Sequence, residues 1–165
     1  MYGAKWVGNM QGGTAPMQNF LIKADEVITK GDWLTVDDGT GKVDVAASAT
    51  EPLLGVANET VTGNSGGTNY VEVILALPGT QFLMDNDNDS ETFAQDDVGE
   101  WHGITGTTGA QQINTDVDAA APSSTANQLV CIGYNPQGYG YDSDTSIGLY
   151  TPVLTYFAMN HRVTD

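Results

Sequence analysis

This chain has few of the groups on which most protein chemistry depends. Its 165 residues include one cysteine, two histidines and only five lysines plus arginines. A lone thiol, Cys131, rules out an intrachain disulfide and fits synthesis in a reducing cytoplasm. It lies in the apolar run Leu129-Val130-Cys131-Ile132, where a buried and inert thiol is expected rather than a nucleophile. His102 and His161 stand far apart with no cysteine partner, so they lack zinc-ligand spacing and are expected at a surface or interface. The few cations face 21 acids, giving a formal charge of −16. Phosphate-backbone affinity comes from lysine and arginine, so nucleic acid is excluded as a partner, and an anionic membrane surface is disfavoured for the same reason. The longest apolar run, around Val71 to Leu77, is far too short to cross a bilayer as a helix. Met1 to Trp6 has no apolar signal-peptide core. The expectation is a soluble protein made in a cytoplasm.

Catalytic constellations are missing as well. Gly63-Asn64-Ser65-Gly66-Gly67 looks like a serine-protease nucleophile loop, but the acid is replaced by Asn64 and both histidines follow the serine. It reads as a Gly-rich hairpin loop. Gly103-Ile104-Thr105-Gly106-Thr107-Thr108-Gly109 lacks the Lys-Ser/Thr of a phosphate-binding loop. With no nucleophile, base and oxyanion set, the chain is not expected to be an enzyme. The best ligand motif is Asp85-Asn86-Asp87-Asn88-Asp89-Ser90, whose alternating carboxylates Asp85, Asp87 and Asp89 suit calcium. It starts like an EF-hand loop and then departs from it, with Ser90 where glycine is needed and Asp96 at the closing position. Two readings stand: a non-EF calcium loop or a solvated acidic loop. Tyr134, Tyr139 and Tyr141 form either a sugar-stacking face or an interface anchor.

What the chain does have is a strand cadence. Ile28 to Asp32 turns into Trp33-Leu34-Thr35-Val36, and Asp37 to Gly41 into Lys42-Val43-Asp44-Val45. Glu51-Pro52 leads into Leu53 to Ala57, and Gly63 to Gly67 into Tyr70 to Leu77. Turn signals at this spacing predict an all-β fold, a small β-barrel or β-sandwich with long loops. Tyr70 to Leu77 is apolar on both faces, which places it centrally or under a further layer. Gly55 suggests a bulge or tight corner. Pro152 predicts that the last strand begins there or lies at an edge. Residues 1–20 show no period and read as an extended N-terminal arm; residues 21–165 read as one domain with an acidic loop insertion around 85–127, and residues 80–127 read as long loops with one or two short strands. Lys5, Lys23, Lys30 and Lys42 all lie in the first quarter and the first acid is Asp25, so the first two dozen residues are mildly basic, which points to a basic arm on an acidic body. Tyr2, Lys5, Trp6 and Phe20 are its candidate contacts with a neighbouring subunit, the alternative being that they fold back on their own chain.

Ile28-Thr29-Lys30-Gly31-Asp32, Asp38-Gly39 with Val43 and Val45, and Leu54-Gly55-Val56-Ala57 together resemble the small β-barrel capsid decoration proteins of tailed bacteriophages. The resemblance covers about the first half of the chain. It implies a structural virion protein on the outer surface of the head, bound to the major capsid protein, often as a homotrimer, and clamping neighbouring capsid subunits. It implies no catalytic residues and no cofactor, calcium at the acidic loop remaining open. The other reading is a β module on the virion that binds glycans or a host surface through the three tyrosines.

Overall fold

The computed structural model describes residues 3–47, 52–87, 98–119, 128–134 and 147–152, the side chains of 115–119 and 134 excepted. In chain order the strands are β1 (Lys5–Asn9), β2 (Met17–Leu21), β3 (Val27–Ile28), β4 (Trp33–Val36), β5 (Val43–Val45), β6 (Gly55–Ala57), β7 (Val61–Thr62), β8 (Tyr70–Leu75), β9 (Thr80–Asp85), β10 (Trp101–Thr105), β11 (Gln112–Ala119), β12 (Leu129–Tyr134) and β13 (Ile147–Pro152). They form a six-stranded sheet in the order β1-β9-β13-β12-β10-β11, a five-stranded sheet in the order β2-β8-β6-β4-β5, and a ribbon of β3 with β7. Neighbouring strands within these sheets run antiparallel. The chain is all-β, and neither large sheet closes into a barrel among the described residues.

Two cores explain the strand patterns. Trp33, Val56 and Ile74 of the five-stranded sheet pack against Phe82, Met84, Ile113, Leu129 and Tyr150 of the six-stranded sheet. On the other face of the five-stranded sheet, Leu34, Val43, Val71 and Val73 pack with Ile22 and with Ile28 of the β3–β7 ribbon. That sheet is therefore a middle layer, and β8 needs apolar residues on both sides, as its sequence predicts. Gly55 lies in β6, between β4 and β8. It makes neither a bulge nor a corner: a Cβ there would strike the Ile74 carbonyl, so glycine permits close approach of two paired strands.

The turns over residues 28–32 and 37–41 have local causes. In the β3–β4 turn, Asp32 is fully buried and its carboxylate accepts from the Thr29 amide at 2.8 Å and the Gly109 amide at 2.7 Å. Gly31 adopts φ +97°, a conformation that favours glycine. Burial pushes the Asp32 carboxyl above its ordinary range, and the two amide donors oppose that rise. In the β4–β5 turn, the Asp37 carboxylate accepts from both the amide and the hydroxyl of Thr40 at 2.9 Å.

Several expectations need correction. Residues 5–9 and 17–21 are extended, but they are hydrogen-bonded into the sheets of their own chain, as β1 against β9 and β2 against β8. The region expected as long loops with one or two strands holds β9, β10 and β11. Pro152 does not open β13, since residues 147–151 precede it there, and β13 lies inside its sheet between β9 and β12. His102 is not a surface residue: it is fully buried in β10, edge-on to Tyr150 at 6.0 Å between ring centroids. Cys131 is buried, as expected.

Candidate docking surface

The most distinctive surface feature lies where β1 passes the five-stranded sheet. The start of β1 is fixed by the Gly3 amide donating to the Gln111 carbonyl at 3.1 Å and the Ala4 amide to the Gly31 carbonyl at 2.7 Å. Alternation along β1 then turns Trp6 toward the inter-sheet core and leaves Lys5 exposed. The register with β9 shifts between Trp6 and Gly8. Beside Trp6 opens a groove of about 360 Å³ lined by Lys5, Trp6, Lys30, Val56, Asn58 and Ile74. Trp6 Nε1 is buried and has no hydrogen-bond acceptor among the described residues.

Charge singles out the same place. Lys23 is held by Asp44 and by Asp37, the latter at 3.1 Å. Its ammonium is pushed well above the ordinary lysine range, chiefly by the Asp44 hydrogen bond and then by Asp37. Thr40 first, and Lys23 second, hold the Asp37 carboxyl below its usual range. Desolvation, and then a hydrogen bond with Asp44, raise Glu26 on the edge of the same cluster. Lys42 Nζ donates to the Gly67 carbonyl at 2.8 Å. Lys30 and Lys5 are exposed on the groove. Lys30 makes no ion pair with the described residues.

The groove runs into an apolar patch. Met17, Leu21 and Tyr70 are 52%, 36% and 59% exposed on one face of β2 and β8. Asn58 joins the two, its Nδ2 lying 3.7 Å from Met17 Sδ and donating to Glu72 at 3.2 Å.

The residues singled out by sequence fall into separate places. Lys5 and Trp6 meet at the groove. Phe20 does not join them: it packs half-buried against the second core, on the opposite face of β2. Tyr2, Asp89, Tyr139 and Tyr141 lie outside the described residues, and Tyr134 is placed only as a backbone position of β12 paired with Gly148. Asp85 is no loop residue: it ends β9 and is buried. Asn86, also buried, accepts from the Tyr150 hydroxyl, and the Asp87 amide donates to the Ile113 carbonyl at 2.8 Å. No three His, Cys, Asp or Glu side chains among the described residues are grouped to hold a metal ion. Lys30, Met17, Leu21 and Tyr70 were missed as surface-forming residues. Only Lys30 carried a sequence signal, its place in the basic first quarter.

Comparison with known family models, curated proteins and solved structures finds no match.

Proposed function

We propose that this chain is a structural, non-catalytic module that fastens to the outside of a phage head and stiffens the shell by bridging neighbouring major capsid proteins. One observation carries the reading: on a chain of net charge −16, Lys5, Lys30 and the half-buried Trp6 come together at one groove. A partner surface presenting a carboxylate beside an apolar side chain fits that groove. The Lys30 ammonium would pair with acid while Trp6 offers apolar contact above a floor of Val56 and Ile74. The three-layer body supports the reading from the mechanical side, since a sheet buried on both faces is a stiff platform. The resemblance of the glycine- and aspartate-bearing turns to those of phage decoration proteins supports the choice of partner.

Each exposed ion pair is worth about 0.2–1 kcal/mol, so a single site need not bind tightly when many copies share one shell. Reversing both charges replaces a positive groove wall with a negative one. Lys5→Glu with Lys30→Glu is expected to weaken retention on purified heads by roughly tenfold or more. The loss should grow as salt is lowered, while the circular dichroism stays that of the parent. Unchanged head occupancy at low salt would overturn the groove as the capsid contact. Deleting residues 1–20 is not an equivalent test, because it removes β1 and most of β2 from the two sheets.

A further inference from the structure

β2 and β5 stand at opposite ends of the strand order of the five-stranded sheet, yet they meet at one point. Ile22, the residue after β2, forms a parallel bridge with Val43, and the Lys23 amide donates to the Val43 carbonyl at 2.9 Å. The seam borders the second core, to which the fully buried Ile22 and Val43 both belong. One bridge and one backbone bond make too short a pairing to stand alone, so side chains have to hold it.

The side chains at the seam are charged. Lys23 Nζ reaches Asp44 of β5 and, at 3.1 Å, Asp37 of the β4–β5 turn. Asp44 Oδ1 also accepts from the Val45 amide at 2.9 Å. Beyond Lys23 the chain turns sharply. Asp25 adopts φ +59°, the left-handed region that aspartate tolerates better than most residues, and the Glu26 amide donates to the Lys23 carbonyl at 3.3 Å. The turn brings Glu26 back to Asp44, and both line one cavity of about 270 Å³ against the β10–β11 turn. One ammonium thus serves three carboxyls, Asp37, Asp44 and Glu26. The other elements around Glu26 add no charge to offset them. The β10–β11 turn presents Thr107 and Thr108, and on the β7 side Gly63 donates to the Glu26 carbonyl at 2.7 Å. Lys42, the neighbouring cation, is turned to the Gly67 carbonyl, and Asp25 is exposed.

We infer that Lys23, Asp44 and Glu26 form a proton-operated clasp that holds β5 against the end of β2, looser at neutral pH and tighter in mild acid. Two carboxylates within hydrogen-bond reach repel each other, and one proton between them turns the repulsion into a short charge-assisted bond. Glu26 is the member that takes the proton: desolvation first, and the hydrogen bond with Asp44 second, hold its carboxyl above the ordinary range. For a raised pKa the stabilisation is complete below the unfolded value of about 4.3 and is lost as pH rises through the folded value. Asp37 has the opposite sign. Thr40 and then Lys23 hold it below its usual range, so its contribution persists down to about pH 3.9 and is lost only in stronger acid. Lys23 is raised and keeps its proton throughout. Asp32 is raised as well, but it is common to the parent and the variants below and cancels between them. The clasp is therefore tightest near about pH 4, between the two windows.

Native-state amide exchange on the full chain reads the seam directly. At pH 7.5 the Lys23 amide should exchange about tenfold faster or more than the Leu54 amide, which donates to Leu34 inside the same sheet. Such a gap means that the seam opens by itself. The Lys23 protection factor, corrected for the intrinsic pH dependence of exchange, is expected to rise by about threefold or more from pH 7.5 to pH 4.5. In Glu26→Gln the side-chain amide donates to Asp44 whatever the pH. That variant should show at pH 7.5 the protection the parent reaches only in acid, with little further change. Lys23→Met, which keeps the stem and loses the charge, should lower protection of the Lys23-position amide by about threefold to tenfold at both pH values. Equal protection of the Lys23 and Leu54 amides, a parent profile flat with pH, a Glu26→Gln profile that rises in step with the parent, or a Lys23→Met chain that exchanges as the parent does would each overturn the clasp. None of these readouts involves the head, so the docking groove and the clasp stand or fall separately.

Discussion

Gln111→Glu is expected to destabilise the protein by about 3–5 kcal/mol at neutral pH, and by progressively less as the solution is acidified. Gln111 is fully buried at the entry to β11. Its Oε1 accepts from the Trp33 amide, its Nε2 donates to the Ala46 carbonyl at 2.7 Å, and its own carbonyl accepts from Gly3. One side chain thus ties the six-stranded sheet to both ends of the β4–β5 hairpin. A carboxylate could still accept from Trp33, but its second oxygen would face the Ala46 carbonyl with no proton between them. Repulsion and desolvation both raise the folded-state pKa of the introduced acid above the ordinary value of about 4.3. For a raised pKa, protonation favours the folded state. The penalty is therefore greatest above the folded pKa, shrinks as pH falls through it, and is gone below the unfolded value. Gln111→Ala supplies the control: it loses both bonds and leaves a void, with no titrating group. The wild-type shifts at Asp32 and Glu26 contribute equally to all three proteins and cancel in the differences. Urea unfolding between pH 8 and pH 5 reads the result. A glutamate penalty that does not change with pH would show that the side chain escapes to solvent.

What could be read in advance, and what could not, follows from where the information lies. β4, β5, β6 and β8 announce themselves through valine, isoleucine and leucine between glycine- and aspartate-bearing turns, and their faces are right because both sides of that sheet are buried. β2 gives no such signal, because its side chains are mostly exposed and bury almost nothing. β9 was hidden differently: Phe82-Leu83-Met84 is too short a run to separate from a loop before an acidic stretch, and its burial comes from β1 and β13, which lie at the two ends of the chain. Polar staples cannot be seen in sequence at all. Gln111 and Gln128 look like any loop glutamine until Ala46, 65 residues away, and Leu53, 75 residues away, are brought beside them. The candidate surface was half legible. Lys5 and Trp6 were marked as arm contacts, Lys30 only by its place in the basic first quarter, and Phe20 lies on the wrong face of β2 to share their groove.

Trp33→Ala is expected to cost about 3–5 kcal/mol, a large share of the roughly 5–15 kcal/mol that holds a domain of this kind together. Trp33 is fully buried between the two large sheets, edge-on to Phe82 with ring centroids 4.9 Å apart, and its Nε1 donates to Met84 Sδ at 2.9 Å. Truncation removes the largest side chain of that core from a place where the backbone cannot collapse, because β4 is paired on both sides by β5 and β6. The denaturation midpoint should fall with the m-value unchanged. Trp33→Phe should recover most of the loss, since an aromatic ring still reaches Phe82. The double variant with Gln111→Ala should be less destabilised than the two single losses added together. Trp33 donates its backbone amide to Gln111, so either truncation already loosens the seam the other would break. Strict additivity would mean that the tryptophan ring and the glutamine staple act on separate parts of the sandwich. The same variant bears on the groove. Val56 and Ile74 belong to the core that Trp33 fills and also form the groove floor beneath Trp6. If the proposed capsid contact is this groove, Trp33→Ala should weaken head retention even at temperatures where the protein stays folded, whereas Lys5→Glu with Lys30→Glu should weaken it with the midpoint unmoved. A Trp33→Ala protein that is destabilised as expected yet binds heads as the parent does would separate the groove from the core beneath it, and would count against the groove as the proposed capsid contact.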